Sequence, residues 1–157
     1  MTTVVSPEWV EEVLEEHKRL RVMIAEVRQI LTQPRPDPGE PGAHTWASEL
    51  SVHLVKLHDE LFRHFRFEES VGLVEDVIER HPRALARLEA VVGQHPEILR
   101  ALRSIMTDAL TYSEGKLPED PKLRQRTLTL LDDLHQHEQE ETDLFQRLEY
   151  RDQGAMD

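Results

Sequence analysis

LRQRTLTLLDDLHQHEQEETDLFQRL, residues 123–148, sets Leu123, Thr127, Leu130, Leu134, His137, Glu141, Leu144 and Leu148 at alternating steps of four and three. That spacing follows one face of an α-helix, whose period is 3.6 residues, and not the strict alternation of a strand. The face is apolar apart from Thr127 and two ionisable groups, His137 and Glu141. Burying a carboxylate is expensive unless something neutralises it. The stretch therefore poses two questions at once: what the helix packs against, and what His137 and Glu141 do inside.

The same period recurs upstream in three segments. Residues 7–32 align Val10, Val13, His17, Leu20, Ile24, Val27 and Leu31. Residues 45–71 align Trp46, Leu50, His53, Leu57, Leu61, His64, Glu68 and Val71, and residues 82–113 align Leu85, Leu88, Val92, His95, Leu99, Leu102, Met106 and Ala109. Ser6-Pro7 and Asp120-Pro121 are helix starts, a capping side chain followed by a proline whose missing N–H costs nothing in the first turn. The run PRPDPGEPG, residues 34–42, excludes helix, and residues 115–118 form a second connector. A short helical piece over 73–79 leads to a turn at His81-Pro82. Gly93 and Pro96 predict a kink or break beside His95, because proline inside a helix costs about 3 kcal/mol. No alternating run with turn punctuation marks a strand. These segments predict an all-α, antiparallel up-down four-helix bundle forming one domain over 1–157, with helices 7–32, 45–71, 82–113 and 121–151.

Composition narrows the chemistry. With 31 acidic against 19 basic residues the formal charge is −12, which repels phosphate backbones and anionic lipid, so neither nucleic acid nor a membrane is an expected partner. No run of eighteen apolar residues occurs and the first thirty residues are acid-rich; the expectation is no membrane span, no signal peptide and a cytoplasmic location. There is no cysteine, so a metal would be held by nitrogen and oxygen.

One histidine on an apolar face is more often a core residue than a ligand. Here four helices each place one in the inward stripe, at His17, His64, His95 and His137, each read as lying near mid-helix. Two of them have a glutamate four residues on, about one turn away on the same face, giving His64/Glu68 and His137/Glu141. No lysine or arginine occupies any stripe, so a bound cation is what resolves the buried charge. Imidazole and carboxylate without sulfur suit iron, manganese or zinc. Four imidazoles and two carboxylates able to bridge exceed a tetrahedral zinc site; they suit two ions side by side with coordination left open. Glu60, one turn before His64, is read as supporting a ligand or facing solvent, His53 as a core or supporting residue, and Glu138 as part of a solvated acidic face or else of the metal surroundings. His58 and His135 lie off their stripes and serve as internal controls, and His44 and His81, beside predicted breaks, are read as surface groups. No nucleophile sits on a strand-turn-helix elbow, so catalysis is expected only from the metal centre.

His64-Phe-Arg-Phe-Glu68-Glu69 and His137-Glu-Gln-Glu-Glu141, followed by Leu144-Phe145 and joined by the lone His17 and His95, resemble the hemerythrin-like, HHE cation-binding family across nearly the whole chain. The resemblance implies a four-helix bundle holding two iron ions with an oxo or hydroxo bridge, manganese or zinc being less expected. His17, His64, His95 and His137 would be terminal ligands and Glu68 and Glu141 bridging carboxylates. Oxygen carriers of the family have a second third-helix histidine four residues from the first, where this chain has Val91 and Leu99. They also have an aspartate five residues after the last histidine, where it has Thr142. The resemblance thus points away from reversible oxygen carriage, toward members with peroxide or oxygen chemistry, sensing or iron handling. The implied reading is a di-iron protein acting on O2 or peroxide, as an oxidoreductase drawing on a reductant that the sequence does not identify. An oxygen, redox or iron sensor without turnover and a metal-stabilised structural bundle are the alternatives.

Overall fold

Val10, Val13, Leu20, Val27 and Leu31 are all buried along α1 (Glu8–Thr32), so the three-four spacing becomes a packed face as the period requires. The structure is a computed structural model that describes residues 8–34, 36–37, 40–115 and 122–152, with the side chains of 149–152 excepted. After α1 come α2 (Ala43–Glu68), α3 (Val71–Arg80), a 3-10 turn (Pro82–Ala84), α4 (Leu85–Val92), α5 (His95–Ser113) and α6 (Leu123–Asp152). No strand occurs among the described residues, and none of their helices is long and apolar enough to cross a membrane. Ser6, Pro7, Asp120 and Pro121, the expected helix starts, lie outside the described residues.

Four rods form a ring in which α1 and α5 each pack on both α2 and α6. Cross-contacts fix the direction of each pairing. The Trp46 indole donates to the Ile30 carbonyl at one end of the α1–α2 pair, and His17 meets His64 at the other. His44 stacks on Tyr112 and Phe65 on His95 along α2–α5. Arg126 reaches Asp108, and His137 meets His95, along α5–α6. Arg28 pairs with Asp132, and His17 with Thr142, along α1–α6. Every neighbouring pair runs antiparallel, as short connections between bundle helices dictate.

Three expectations are corrected. The second helix ends at Glu68 and not at 71; Val71 is 71% exposed and opens α3, so the short helical piece is longer than 73–79. The third helix does break beside His95 as expected, but it is three pieces and not one, a 3-10 turn, α4 and α5, with α4 and α5 divided at Gly93-Gln94. There the Gln94 N–H turns to Val91 O in a tightened turn, and Pro96 falls in the first turn of α5, where a missing N–H is harmless. The buried face runs through Leu88, Val91, His95, Ile98, Leu102, Ile105 and Ala109 across the break, so Ile98 and Ile105 take the places expected of Leu99 and Met106, which are only half-buried. Gly115, at φ 74°, ends α5 in the left-handed conformation that glycine adopts without steric cost.

The apolar core is in two parts. The larger holds Leu50, Leu54, Leu57, Leu102 and Leu131; the smaller joins Val10, Val13, Leu73, Val77, Leu88, Phe145 and Leu148. Along α1 the sequence passes from Val13 in the smaller part through Glu16 and His17 to Leu20 in the larger. Along α6 it passes from Leu134 in the larger through His137 and Glu141 to Leu144 in the smaller. A buried polar layer separates the two.

Candidate metal centre

That layer contains all six sequence-picked residues: His17, His64 and His95 at 1% exposure, Glu141 at 1%, His137 at 4% and Glu68 at 0%. They do not all come from mid-helix. His17 is in the third turn of α1, His64 and Glu68 in the last turns of α2, and His95 is the first residue of α5; only His137 is central in its helix. The break at Gly93-Gln94 is what lets α5 begin at this level.

The side chains form two overlapping groups, His17, His64, Glu68 and Glu141, and His95, His137 and Glu141, within each of which the donor atoms lie within 4.8 Å of one another. Nε2 of His17 is 3.0 Å from Nε2 of His64. Glu68 Oε1 lies 2.6 Å from His64 Nε2. The two oxygens of Glu141 divide between the groups. Oε2 is 3.3 Å from His17 Nε2 and 3.4 Å from His64 Nε2, whereas Oε1 is 3.6 Å from His95 Nε2 and in closer contact with His137 Nε2. Glu141 thus spans both groups, while Glu68 belongs to the first alone.

The opposite edge of each ring is held by a residue from the next helix. His17 Nδ1 is 2.8 Å from Thr142 Oγ1, the His95 Nδ1–H donates to Glu69 Oε2 at 2.9 Å, and the His137 Nδ1–H donates to Gln94 Oε1 at 2.6 Å. His64 Nδ1 faces Glu16 Oε1 at 3.6 Å. Each supporter is the sequence neighbour of a ligand: Glu16 precedes His17 in α1 and Thr142 follows Glu141 in α6, while Glu69 directly follows the end of α2 and Gln94 directly precedes α5. One residue along a helix is a rotation of about 100°, enough to aim a side chain at the adjacent rod. The four contacts run once around the bundle. With Nδ1 hydrogen-bonded, the rings of His17, His95 and His137 turn Nε2 inward as the available ligand atom, the arrangement that orients imidazoles in metal sites, while His64 Nδ1 only faces Glu16.

The donor set fits a cation. Both Glu68 oxygens, Glu141 Oε1, and Nε2 of His95 and His137 are buried without a hydrogen-bond partner among the described residues, and buried polar atoms are ordinarily satisfied. The charges of the bare chain express the same conflict. Burial disfavours a charged His64, yet its contacts with Glu141, Glu16 and Glu68 outweigh this and push it up to about 12. Burial, and then the charge of Glu141, hold Glu68 well above the usual carboxylate range. Burial acts the same way on Glu141, but contacts with Glu68, His137, His17 and His64 bring it well below that range. Burial lowers His17, against the pull of Glu141.

The expected supporters fare differently. Glu60 lies 3.5 Å from Arg19 and 3.9 Å from Arg63 and touches no ligand. His53 is half-buried, with Nδ1 on the Glu49 carbonyl one turn back, and the core position falls to Leu54. Glu138 does abut the centre: it lines a cavity of about 10 Å³ with His17, His64, His137 and Glu141, and its Oε1 is 3.1 Å from Arg21. Burial raises Glu138 to about 7, Arg21 opposing and Glu141 reinforcing. His58 and His135 stay out of both groups. His44 is exposed as expected, but His81, between α3 and the 3-10 turn, is buried at 7%. The residues missed from sequence are Glu16, Glu69, Gln94 and Thr142; their signal was adjacency to a ligand.

Nothing among curated proteins or solved structures matched the chain. The family model described as hemerythrin HHE cation binding domain matches residues 10–148, a span that encloses every member of both His/Glu groups. The chain belongs to the hemerythrin HHE cation-binding family.

Proposed function

We propose that the protein is a non-haem di-iron protein with oxygen- or peroxide-linked redox chemistry at His17, His64, Glu68, His95, His137 and Glu141. The observation that carries this is the division of Glu141 between two donor groups, which matches a carboxylate spanning two ions. Two ferrous ions held there would supply a pair of electrons to O2 or to a peroxide. The chain's own part is to hold and insulate. Four imidazoles, three of them hydrogen-bonded through Nδ1, and two carboxylates balance the charge and set its geometry. Leu20, Ile24, Leu61, Phe65 and Leu134 line the cavity beside the donors and limit water there. His137 lines both that cavity and a groove of about 1040 Å³ between α5 and α6, at whose edge Gln94 covers the His137 ring. The groove gives a small oxidant a route to the centre.

Elemental analysis of protein purified aerobically from iron-replete cells tests the reading. It predicts about two irons per chain with ferric ligand-to-metal absorption in the near ultraviolet. Mixing with hydrogen peroxide while following oxygen evolution separates turnover from sensing. His64→Ala loses iron and His58→Ala and His135→Ala keep it; equal loss in all three would remove the ligand assignment.

A further inference from the structure

In a chain this acidic, arginines are expected to lie against carboxylates, and many do: Arg21 on Glu138, Arg28 on Asp132, and Arg87 and Arg147 on Asp143. Arg66, Arg100 and Arg103 do not. Among the described residues none of the three is within ion-pairing distance of a carboxylate, and all three line one cleft of about 460 Å³ between α2 and α5. The lining contains one carboxylate, Glu69, which is committed to His95 Nδ1. Three guanidiniums without a carboxylate partner on one concave surface repel one another, and they stand out in a chain whose net charge is −12.

The cleft also presents aromatic faces. Phe62 is 40% exposed at its edge, with the Arg66 guanidinium 5.7 Å from the ring centroid. His58 lies nearly parallel to Phe62, at 12° and 6.2 Å, and accepts a hydrogen bond from Arg103 Nε at 3.1 Å. The order along this edge is Arg103, His58, Phe62 and Arg66, an aromatic pair between two guanidiniums. Deeper in, Phe65 and His95 stack at 3.7 Å and 6°.

We propose that this cleft is a binding site for a planar phosphate ester of mononucleotide size. Guanidinium forks match phosphate oxygens in bidentate geometry, and three of them suit a dianion better than a single carboxylate does. Exposed aromatic and guanidinium faces provide for a flat ring system. The volume lies in the range of small-ligand sites, about 300–1,000 Å³. Charge and shape alone carry this assignment, which does not depend on the redox reading of the neighbouring centre.

Equilibrium dialysis of the metal-loaded, full-length protein at low salt against FMN, AMP, riboflavin and adenosine is the test. FMN, AMP or both bind saturably, and the matching compound without phosphate binds at least about tenfold more weakly. Arg100→Glu with Arg103→Glu weakens the phosphate ester by at least about tenfold. Arg83→Glu with Lys56→Glu, an equal charge change on exposed residues outside the cleft, does not. Phe62→Ala weakens the ester but leaves competition by inorganic phosphate intact, and circular dichroism confirms that all variants are folded. The proposal is overturned if neither ester binds with a Kd below about 1 mM, if the phosphate-free compounds bind equally well, or if the two double variants weaken binding alike.

Discussion

Thr142→Val is the sharpest probe of the ring of Nδ1 contacts. The hydroxyl lies 2.8 Å from Nδ1 of His17, an imidazole only 1% exposed. Valine keeps the branched shape and has a helix propensity close to that of threonine, so neither a cavity nor a backbone penalty is introduced. What is lost is the partner of a buried ring nitrogen, worth about 1–3 kcal/mol when left unsatisfied. The same contact fixes the tautomer that turns Nε2 inward. Removing an outer partner of this kind lowers metal affinity about 10–100-fold, or about 1.4–2.7 kcal/mol. The two routes give the same size of effect. Competition between the iron-loaded protein and a graded chelator reads it directly. Thr142→Ser, which restores the hydroxyl, should recover most of the affinity. Thr127→Val is the control, since that hydroxyl is fully buried but bonds the Leu123 carbonyl of its own helix at 2.7 Å, away from the centre. If Thr142→Val and Thr127→Val release iron at the same chelator strength, the supporting role of the ring contacts is refuted.

Glu141→Gln, which strikes both donor groups, should empty the chain of iron. Glu68→Gln leaves His95, His137 and Glu141 in place and should retain about one ion per chain, so equal loss by elemental analysis would contradict the asymmetry of the two carboxylates. Glu138, raised to about 7 from an ordinary 4.5, takes up its proton more readily folded than unfolded. Its contribution to stability is therefore whole below pH 4.5 and disappears as the pH climbs through about 7. In metal-free protein Glu138→Gln should flatten the loss between pH 5 and 8, a difference on the order of 3 kcal/mol at most by urea unfolding, and parallel pH profiles would count against it. Gly115→Ala, forced into φ 74°, should lose about 1–2 kcal/mol of stability with iron content unchanged, and an unshifted urea midpoint would show that the turn relaxes.

The four rods and the ligand set were legible because both rest on the same signal, the three-four spacing of buried positions. His137 and Glu141 stand out in α6 because the residues in phase with them are apolar, and the same contrast isolates His17, His64 and His95. In the third segment apolar residues stand side by side, so Val92, Leu99 and Met106 looked like core where Val91, Ile98 and Ile105 are, although Leu102 and Ala109 are buried as expected. His53 was in phase with His64 but fell at the edge of the buried face, where Leu54 fills the interior. The supporting contacts were hidden for a different reason. Thr142 was visible only as a departure from an aspartate, and Glu69, Gln94 and Glu16 sit off the stripe of their own helix. Each acts on the helix beside it, and that neighbour relation is a property of the ring and not of any one segment.

The polar layer lies between two apolar clusters of unequal size, and α3 and α4 belong to the smaller. That end of the molecule is joined to the main body by the continuous α1 and α6 and, between them, by a layer of side chains that repel or attract according to what sits among them. Stripping the ions should unfasten the end before the rest melts. Amides of Leu73, Val77 and Leu88 would then exchange with solvent well ahead of those of Leu50, Leu54 and Leu102, so that the centre doubles as a rivet between two separately meltable halves.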